Sequence, residues 1–277
     1  MTARKYKITI IPEQPILVSG STMGNYRTTL DYLPGSALRG AFAAQLLRDG
    51  QIDAFESIFE GSDRAPIFMH AFPTLLDSAV IPRPFPITAV SCKRFPGLRQ
   101  RKPKEQHGVM DSIIAHLTGE PLICPVCGQD MEGHTGYYIR QDNYQSSEQH
   151  QRVSATTHVA INRRRRVAED GLLYTREGLT FYNPSRPNAQ TGVFAGIAWL
   201  TDAAKTALDG LTLWIGGNRS RGMGRARIIS EPVAEDEWEA RAALLTDRLS
   251  ERGAKGQYFT LDTYTPYLPL PGTASAP

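Results

Sequence analysis

Apolar and polar residues alternate from Tyr6 to Ile11, a β pattern stopped by Pro12; Pro15-Ile-Leu-Val18 extends that strand or begins a second piece. The polar run at 19–25 reads as a flexible loop. The period then changes. Leu38, Phe42 and Leu46 recur every four residues and predict one face of a helix, with Pro34-Gly35 as the turn into it and Ser36 as its N-cap. A short helix over 53–59 ended by Gly61, a strand over 67–72 and a proline-broken edge over 79–86 follow. Strand patterns return at 137–140, 153–161, 171–175, 178–187 and 192–200, with a polar loop at 141–151. The chain continues with a helix over 201–208, capped by Thr201 or Asp202 and stopped by Gly210. Strands at 211–215 and 227–229 bracket a glycine-rich loop, and a helix over 235–249 and a strand over 258–264 complete the pattern.

Residues 91–132 break this rhythm and read as an insertion. They hold all three cysteines of the chain, Cys92, Cys124 and Cys127. An odd count with a C-x-x-C pair argues against a disulfide framework and for a reducing compartment. The Cys124-Pro-Val-Cys127-Gly turn has the form of a zinc knuckle, which presents two sulfurs to one ion. Cys92 is the natural third ligand. His107 and His134 stand equally as the fourth, ahead of His116 in an apparent helix over 109–117. The zinc would be structural, because neither H-E-x-x-H nor H-x-E precedes the knuckle.

Charge adds a direction to this picture. The net charge is only +3, yet basic residues cluster. They crowd residues 93–104, form the run Arg163-Arg164-Arg165-Arg166, and stud the glycine loop at Arg219, Arg221 and Arg225. Acidic residues gather elsewhere, at 231–239. Such segregation suits one surface facing a polyanion. The arginine run falls at the tip of a β-hairpin, where it can reach a nucleic acid. The ten residues of the loop, Gly216-Gly-Asn218-Arg219-Ser220-Arg221-Gly-Met-Gly-Arg225, combine close backbone approach with guanidinium forks that fit phosphate. The N-terminus of the Ser36 helix, with Arg39 in its first turn, offers a second phosphate site.

Catalytic patterns are wanting. There is no Walker loop and no G-x-S-x-G, and the glycine loop lacks the Lys-Ser/Thr ending of a nucleotide-binding loop. Asp31 is the one candidate for phosphodiester cleavage, and a turn or cap aspartate describes it better. With no signal-type run and no stretch of about 20 apolar residues, the chain reads as cytoplasmic with no membrane partner.

Several of these stretches carry a family likeness. Tyr32-Leu-Pro-Gly-Ser-Ala-Leu-Arg-Gly-Ala resembles the Y-I-P-G-S-S-L-K/R-G motif of the RAMP (repeat-associated mysterious protein) superfamily of CRISPR effector subunits. The segment 216–224 resembles that superfamily's glycine-rich loop, ending here in Arg221-Gly-Met-Gly. Thr157-His-Val-Ala-Ile-Asn162 followed by Gly171-Leu-Leu-Tyr resembles the thumb hairpin of type III subunits. Ser91-Cys92-Lys-Arg, His107-Gly-Val-Met-Asp111 and the cysteine knuckle together resemble the type III-D subunit at the crRNA 5′ end.

The resemblance implies an α+β chain: a ferredoxin-like (RRM-type) RAMP core over 1–90 and 135–252, a thumb hairpin near 153–176, and a zinc-knuckle insertion over 91–134. Residues 253–277 read as the start of a second half or a disordered tail. It makes Cys92, His107, Cys124 and Cys127 the preferred zinc set. It implies a non-catalytic subunit that holds the crRNA 5′ tag, meets target RNA indirectly, and contacts the large polymerase-like subunit and the backbone RAMP subunits. The RNA-binding residues expected on this basis are Ser36, Arg39, Arg163 to Arg166, Asn218, Arg219, Ser220, Arg221 and Arg225. An endoribonuclease acting on precursor crRNA or target RNA is the alternative. The family's catalytic aspartate lies upstream of the Y-x-P-G motif, whereas Asp31 directly abuts it.

Overall fold

The strand Arg4–Pro12 buries Tyr6, Ile8 and Ile10 on one face, as its alternation requires. It lies at the middle of a six-stranded sheet in the computed structural model, which describes residues 3–61, 66–76, 80–98, 106–140, 146–149, 152–162, 164–181, 192–233 and 238–251. Its neighbours are Gly192–Leu200 on one side and Arg225–Pro232 on the other, both antiparallel. Beyond Gly192–Leu200 come two short pieces, Ile67–Phe68 and Phe72–Leu75. Thr212–Trp214 adds an outer edge beside Arg225–Pro232.

Helix Gly35–Arg48 follows the first strand and helix Asp202–Leu208 follows the third. Setting the outer Thr212–Trp214 strand aside, the chain runs β-α-β-β-α-β with strands in the spatial order 4-1-3-2. That arrangement is consistent with a ferredoxin-like core. Leu38, Phe42 and Leu46 of the first helix pack with Ile8, Ile10, Phe68 and Phe194 into one core. The Thr201 hydroxyl caps the second helix, accepting the Ala204 N–H at 3.3 Å.

A long hairpin, Arg152–Asn162 with Val167–Thr180, rises from the body. The polar run at 19–25, expected as a loop, is instead part of a second hairpin, Ser19–Met23 with Tyr26–Thr29. Its strands are held by the Thr28 hydroxyl, which meets the Ser21 backbone at both N–H (2.9 Å) and C=O (3.0 Å). Glu177 joins the two hairpins, accepting from the Tyr26 hydroxyl at 2.7 Å and the Thr29 N–H at 3.0 Å.

Other boundaries also differ from the sequence reading. Ser36 does not cap the first helix: Pro34 takes the N-cap position, and the helix begins at Gly35 with no side-chain cap. Residues 109–117 divide into a strand, Val109–Asp111, and a helix, Ile113–Thr118, because Val109 to Asp111 pair with Ala89–Cys92. Ala89–Cys92 pairs on its other edge with Met131–Gly133, so the cysteine region is built on its own three-stranded sheet. The expected polar loop at 141–151 holds a strand, Ser146–Gln149, paired with Tyr137–Arg140. The 258–264 strand, the 253–277 tail, the start of the 235–249 helix and most of the 93–104 basic cluster beyond Leu98 lie outside the described residues.

Candidate nucleic-acid interface

The glycine loop is closed at its neck by backbone hydrogen bonds. Ile215 N–H donates to the Gly224 carbonyl at 2.8 Å, Gly217 N–H to Leu17 at 2.8 Å, and Gly224 N–H to Pro15 at 2.9 Å. Gly216 turns with φ 80°, and any Cβ there would collide with the Leu17 carbonyl. Glycine at this position is required by the fold itself. Between the neck residues, Asn218 adopts φ 58° and starts a tight turn over Arg219–Arg221. Arg219, Ser220 and Arg221 are all exposed.

The long hairpin stands against this loop. Leu179 at its base is fully buried and exchanges both backbone hydrogen bonds with Ile16, at 3.0 and 2.7 Å. Cross-strand register then places Thr156 opposite Arg176 and His158 opposite Tyr174. Residues directly opposite share a face, so one face of the hairpin carries Ser154, Thr156, His158, Tyr174 and Arg176. The other carries exposed Val159 and Leu173.

The polar face and the loop enclose a cleft of ≈ 180 Å³. Ser154, Thr156, His158 and Arg176 form the hairpin wall; Asn218, Arg221, Gly222 and Met223 form the loop wall; Pro15 closes the base. No acidic residue is among these lining residues. Tyr174 organises the charge beside it. His158 stacks on its ring at 5.1 Å, and the guanidiniums of Arg176 and Arg221 lie over the ring at 4.7 and 5.4 Å. The quadrupole of one ring thus gathers two like charges from different elements. Two arginines brought together without a carboxylate beside them are suited to a phosphodiester.

The expected RNA-binding residues divide accordingly. Asn218 and Arg221 line the cleft, whereas Arg219 and Ser220, exposed in the turn between them, are not among its lining residues. Arg225 points elsewhere, paired with the Glu13 carboxylate at 2.8 Å. Arg39 lies over the Phe59 ring at 5.2 Å, and Ser36 is exposed in the first turn of its helix. Arg164, Arg165 and Arg166 are exposed at the hairpin tip, while Arg163 lies outside the described residues. Arg166 takes φ 56°, a left-handed conformation that costs an ordinary side chain on the order of 1–3 kcal/mol. His158, Tyr174 and Arg176 went unrecognised as site residues in the sequence. The period-2 recurrence of Ser154, Thr156 and His158 on one strand and of Tyr174 and Arg176 on the other was the available signal, once their register is known.

A second cluster lies in the cysteine region. The ligand atoms of Cys92, His107, Cys124 and Cys127 all lie within 4.8 Å of one another. Cys92 Sγ is 3.6 Å from Cys127 Sγ, and His107 Nδ1 is 3.3 Å from Cys124 Sγ. Gly128 N–H closes the knuckle on the Cys124 carbonyl at 2.9 Å. Burial pushes the Cys124 thiol up, but hydrogen bonds from the Val126 and Cys127 backbone and from His107 outweigh it and bring it down to about 6. Three sulfurs and an imidazole at this spacing fit a tetrahedral metal. His134 is not among the four; its ring meets Phe85 edge-on at 4.7 Å.

The sequence profile of the RAMP superfamily matches residues 15–227, from the base of the cleft through both of its walls. The chain belongs to the RAMP superfamily. Comparison with curated proteins finds no match. Similar solved structures include a chain of the apo type III-B Cmr-beta complex, at 13% identity and TM-score 0.42, covering 82% of this chain and 97% of that one. A chain of the same complex bound to cognate target RNA matches at 11% identity and TM-score 0.44, with coverage of 83% and 98%. Oligomeric Cmr4 from Pyrococcus furiosus matches at 10% identity and TM-score 0.36, with coverage of 85% and 100%. Among the described residues of this RAMP protein, no helix is long and apolar enough to cross a membrane.

The RAMP helix Gly35–Arg48 was expected to offer its free N-terminus to an anion. Its first N–H, at Gly35, instead donates to His70 Nδ1 at 3.1 Å. His70 also packs against Tyr32, with ring centroids 4.8 Å apart. Asp31 accepts a hydrogen bond from Tyr137, whose hydroxyl is pushed up by burial and by that carboxylate. Burial lowers the His70 pKa below its ordinary value of 6.5, and only an unprotonated Nδ1 can accept from Gly35. The unfolded chain therefore takes up a proton that the folded chain resists, and His70 makes stability fall as pH drops below that ordinary value. We expect the thermal midpoint of the wild type to fall between about pH 7.5 and about pH 5.5 by more than that of His70→Asn, whose amide oxygen accepts without titrating. Equal falls in the two proteins would contradict this role.

Proposed function

We propose that this RAMP protein is a non-catalytic RNA-binding subunit of a type III CRISPR effector complex, most like type III-D. It holds the repeat-derived 5′ tag of the crRNA and bridges the large polymerase-like subunit to the backbone subunits. Target RNA is met through the crRNA. The observation that carries RNA binding is the cleft where Arg176 and Arg221, from hairpin and glycine loop, converge on the Tyr174 ring. Superfamily membership supports the effector assignment. The tag position and the III-D assignment rest on the resemblance of the cysteine insertion.

In this reading the 4-1-3-2 sheet is an RRM-type core and the long hairpin is the thumb. Arg164 to Arg166 are exposed at its tip. A strained Arg166 at that tip fits a residue kept for its contacts rather than its backbone preference. The non-catalytic reading rests on the sequence, in which Asp31, the one candidate for phosphodiester cleavage, abuts the Y-x-P-G motif instead of lying upstream of it. The Asp31 carboxylate is exposed and accepts from the Tyr137 hydroxyl. Zinc would be held by Cys92, His107, Cys124 and Cys127, where it would cross-link the sheet carrying Cys92 to the knuckle and so stabilise a region with little core of its own.

Binding of a repeat-derived single-stranded RNA should weaken steeply with salt. The combined variant Arg176→Ala, Arg219→Ala and Arg221→Ala should lower affinity and reduce the log–log salt slope by about 2, since each single-strand phosphate contact contributes about 0.7. The RNA should be recovered intact with and without Mg²⁺. An unchanged slope would remove the cleft from the RNA path, and cleavage lost in Asp31→Ala would favour the endoribonuclease reading. For the metal, elemental analysis should find about one zinc per chain, lost in Cys124→Ser and unaffected in His134→Ala. A wild-type protein free of zinc would eliminate the site.

A further inference from the structure

Within the glycine loop the left-handed positions at 216, 222 and 224 are glycine, with φ of 80°, 75° and 92°. Asn218 shares that conformation, with φ 58°, and is the exception. Glycine would serve the backbone at lower cost there, so the side chain at 218 calls for a separate reason. Its amide is placed in the cleft, where its Nδ2 meets only the weak acceptor Met223 Sδ, at 3.7 Å, among the described residues. The amide therefore keeps hydrogen-bonding capacity to offer a ligand.

The surroundings select what that ligand can be. The cleft, at ≈ 180 Å³, has room for one nucleobase and too little for a base pair. Met223 in the loop wall and Pro15 at the base give it apolar surface, which suits the face of an aromatic heterocycle. Tyr174 is already occupied by His158 and by two guanidiniums, so its part is to position Arg176 and Arg221 for the phosphate. Single-stranded RNA is recognised in this manner, with an unstacked base held by its face and read along its edge.

We infer that this cleft is a reading pocket for one unstacked base of single-stranded RNA, with Asn218 as the residue that selects the base. A carboxamide presents one donor and one acceptor side by side, which matches the exocyclic amine and N7 of adenine. Read along that edge adenine is the preferred base, because guanine presents two acceptors there and the pyrimidines only one hydrogen-bonding group. The inference rests on the RNA-binding reading above and adds base selection to it.

Fluorescence anisotropy of the full chain with oligo(A), oligo(C), oligo(G) and oligo(U) RNA tests it. The wild type should prefer oligo(A) by on the order of tenfold, the effect of one bidentate amide–base contact. Asn218→Gly keeps the left-handed turn and should bring the four affinities together. Asn218→Asp keeps a residue that tolerates the turn but offers acceptors alone, and should likewise lose the preference for oligo(A). Arg176→Ala should weaken all four by a similar factor and preserve their ratio. Equal binding of all four by the wild type would overturn base reading while leaving RNA binding intact. A preference that persists in Asn218→Gly would overturn the assignment to this pocket. Failure of the wild type to bind any of the four would overturn RNA binding, and base reading with it.

Discussion

Both walls of the cleft hang on three consecutive residues, Pro15, Ile16 and Leu17. Ile16 exchanges two backbone hydrogen bonds with Leu179 at the foot of the hairpin. The carbonyls on either side of it, Pro15 and Leu17, accept from Gly224 and Gly217 at the two ends of the glycine loop. Ile16, Leu17, Leu179 and Ile215 are fully buried around this junction. Buried backbone groups must be paired, and leaving one unpaired costs about 1–3 kcal/mol. The junction therefore has little freedom to slide. A register slip of one residue in the hairpin would turn Tyr174 and Arg176 away from the loop and Leu173 toward it. The meeting of Arg176 and Arg221 over one ring is thus a consequence of how two distant segments dock on the stretch that follows the first strand.

This explains why a chain with net charge of only +3 can present a cationic site. The charges are sorted by neighbours rather than by number. Arg225 is neutralised at its own strand end by Glu13, and Glu177 is drawn to the opposite side by Tyr26 and Thr29. Arg176 and Arg221 are left facing a cleft whose lining contains no carboxylate. A phosphate entering it meets two guanidiniums already held together, so less ordering remains to be done on binding.

Where burial follows a simple period, the sequence was legible. Tyr6, Ile8 and Ile10 alternate, Leu38, Phe42 and Leu46 repeat helically, and both patterns reach the core. The C-x-x-C knuckle was legible because a turn that presents two sulfurs to one ion requires that spacing. Features set by long-range contact were not. Ser19–Met23 is exposed along its whole length, so no alternation marked it as a strand. It belongs to a sheet whose linking carboxylate, Glu177, lies 148 residues beyond Thr29 in the chain. The choice between His107 and His134 could not be made by spacing, because it depends on which ring the fold brings to the sulfurs: His107 Nδ1 lies 3.3 Å from Cys124 Sγ, while His134 packs on Phe85. Ser36 looked like a cap because of its residue type, whereas Pro34 takes the N-cap position and the Gly35 N–H is claimed by His70, from the connection between Ile67–Phe68 and Phe72–Leu75.

In the proposed role, RNA runs between the hairpin and the glycine loop. Ultraviolet cross-linking of the full chain to single-stranded RNA, followed by mass spectrometry of the attached peptides, tests it most directly. Cross-links should concentrate on peptides containing Tyr174, His158 and Met223. Cross-links confined to the cysteine region at 89–134, with none on those peptides, would contradict it.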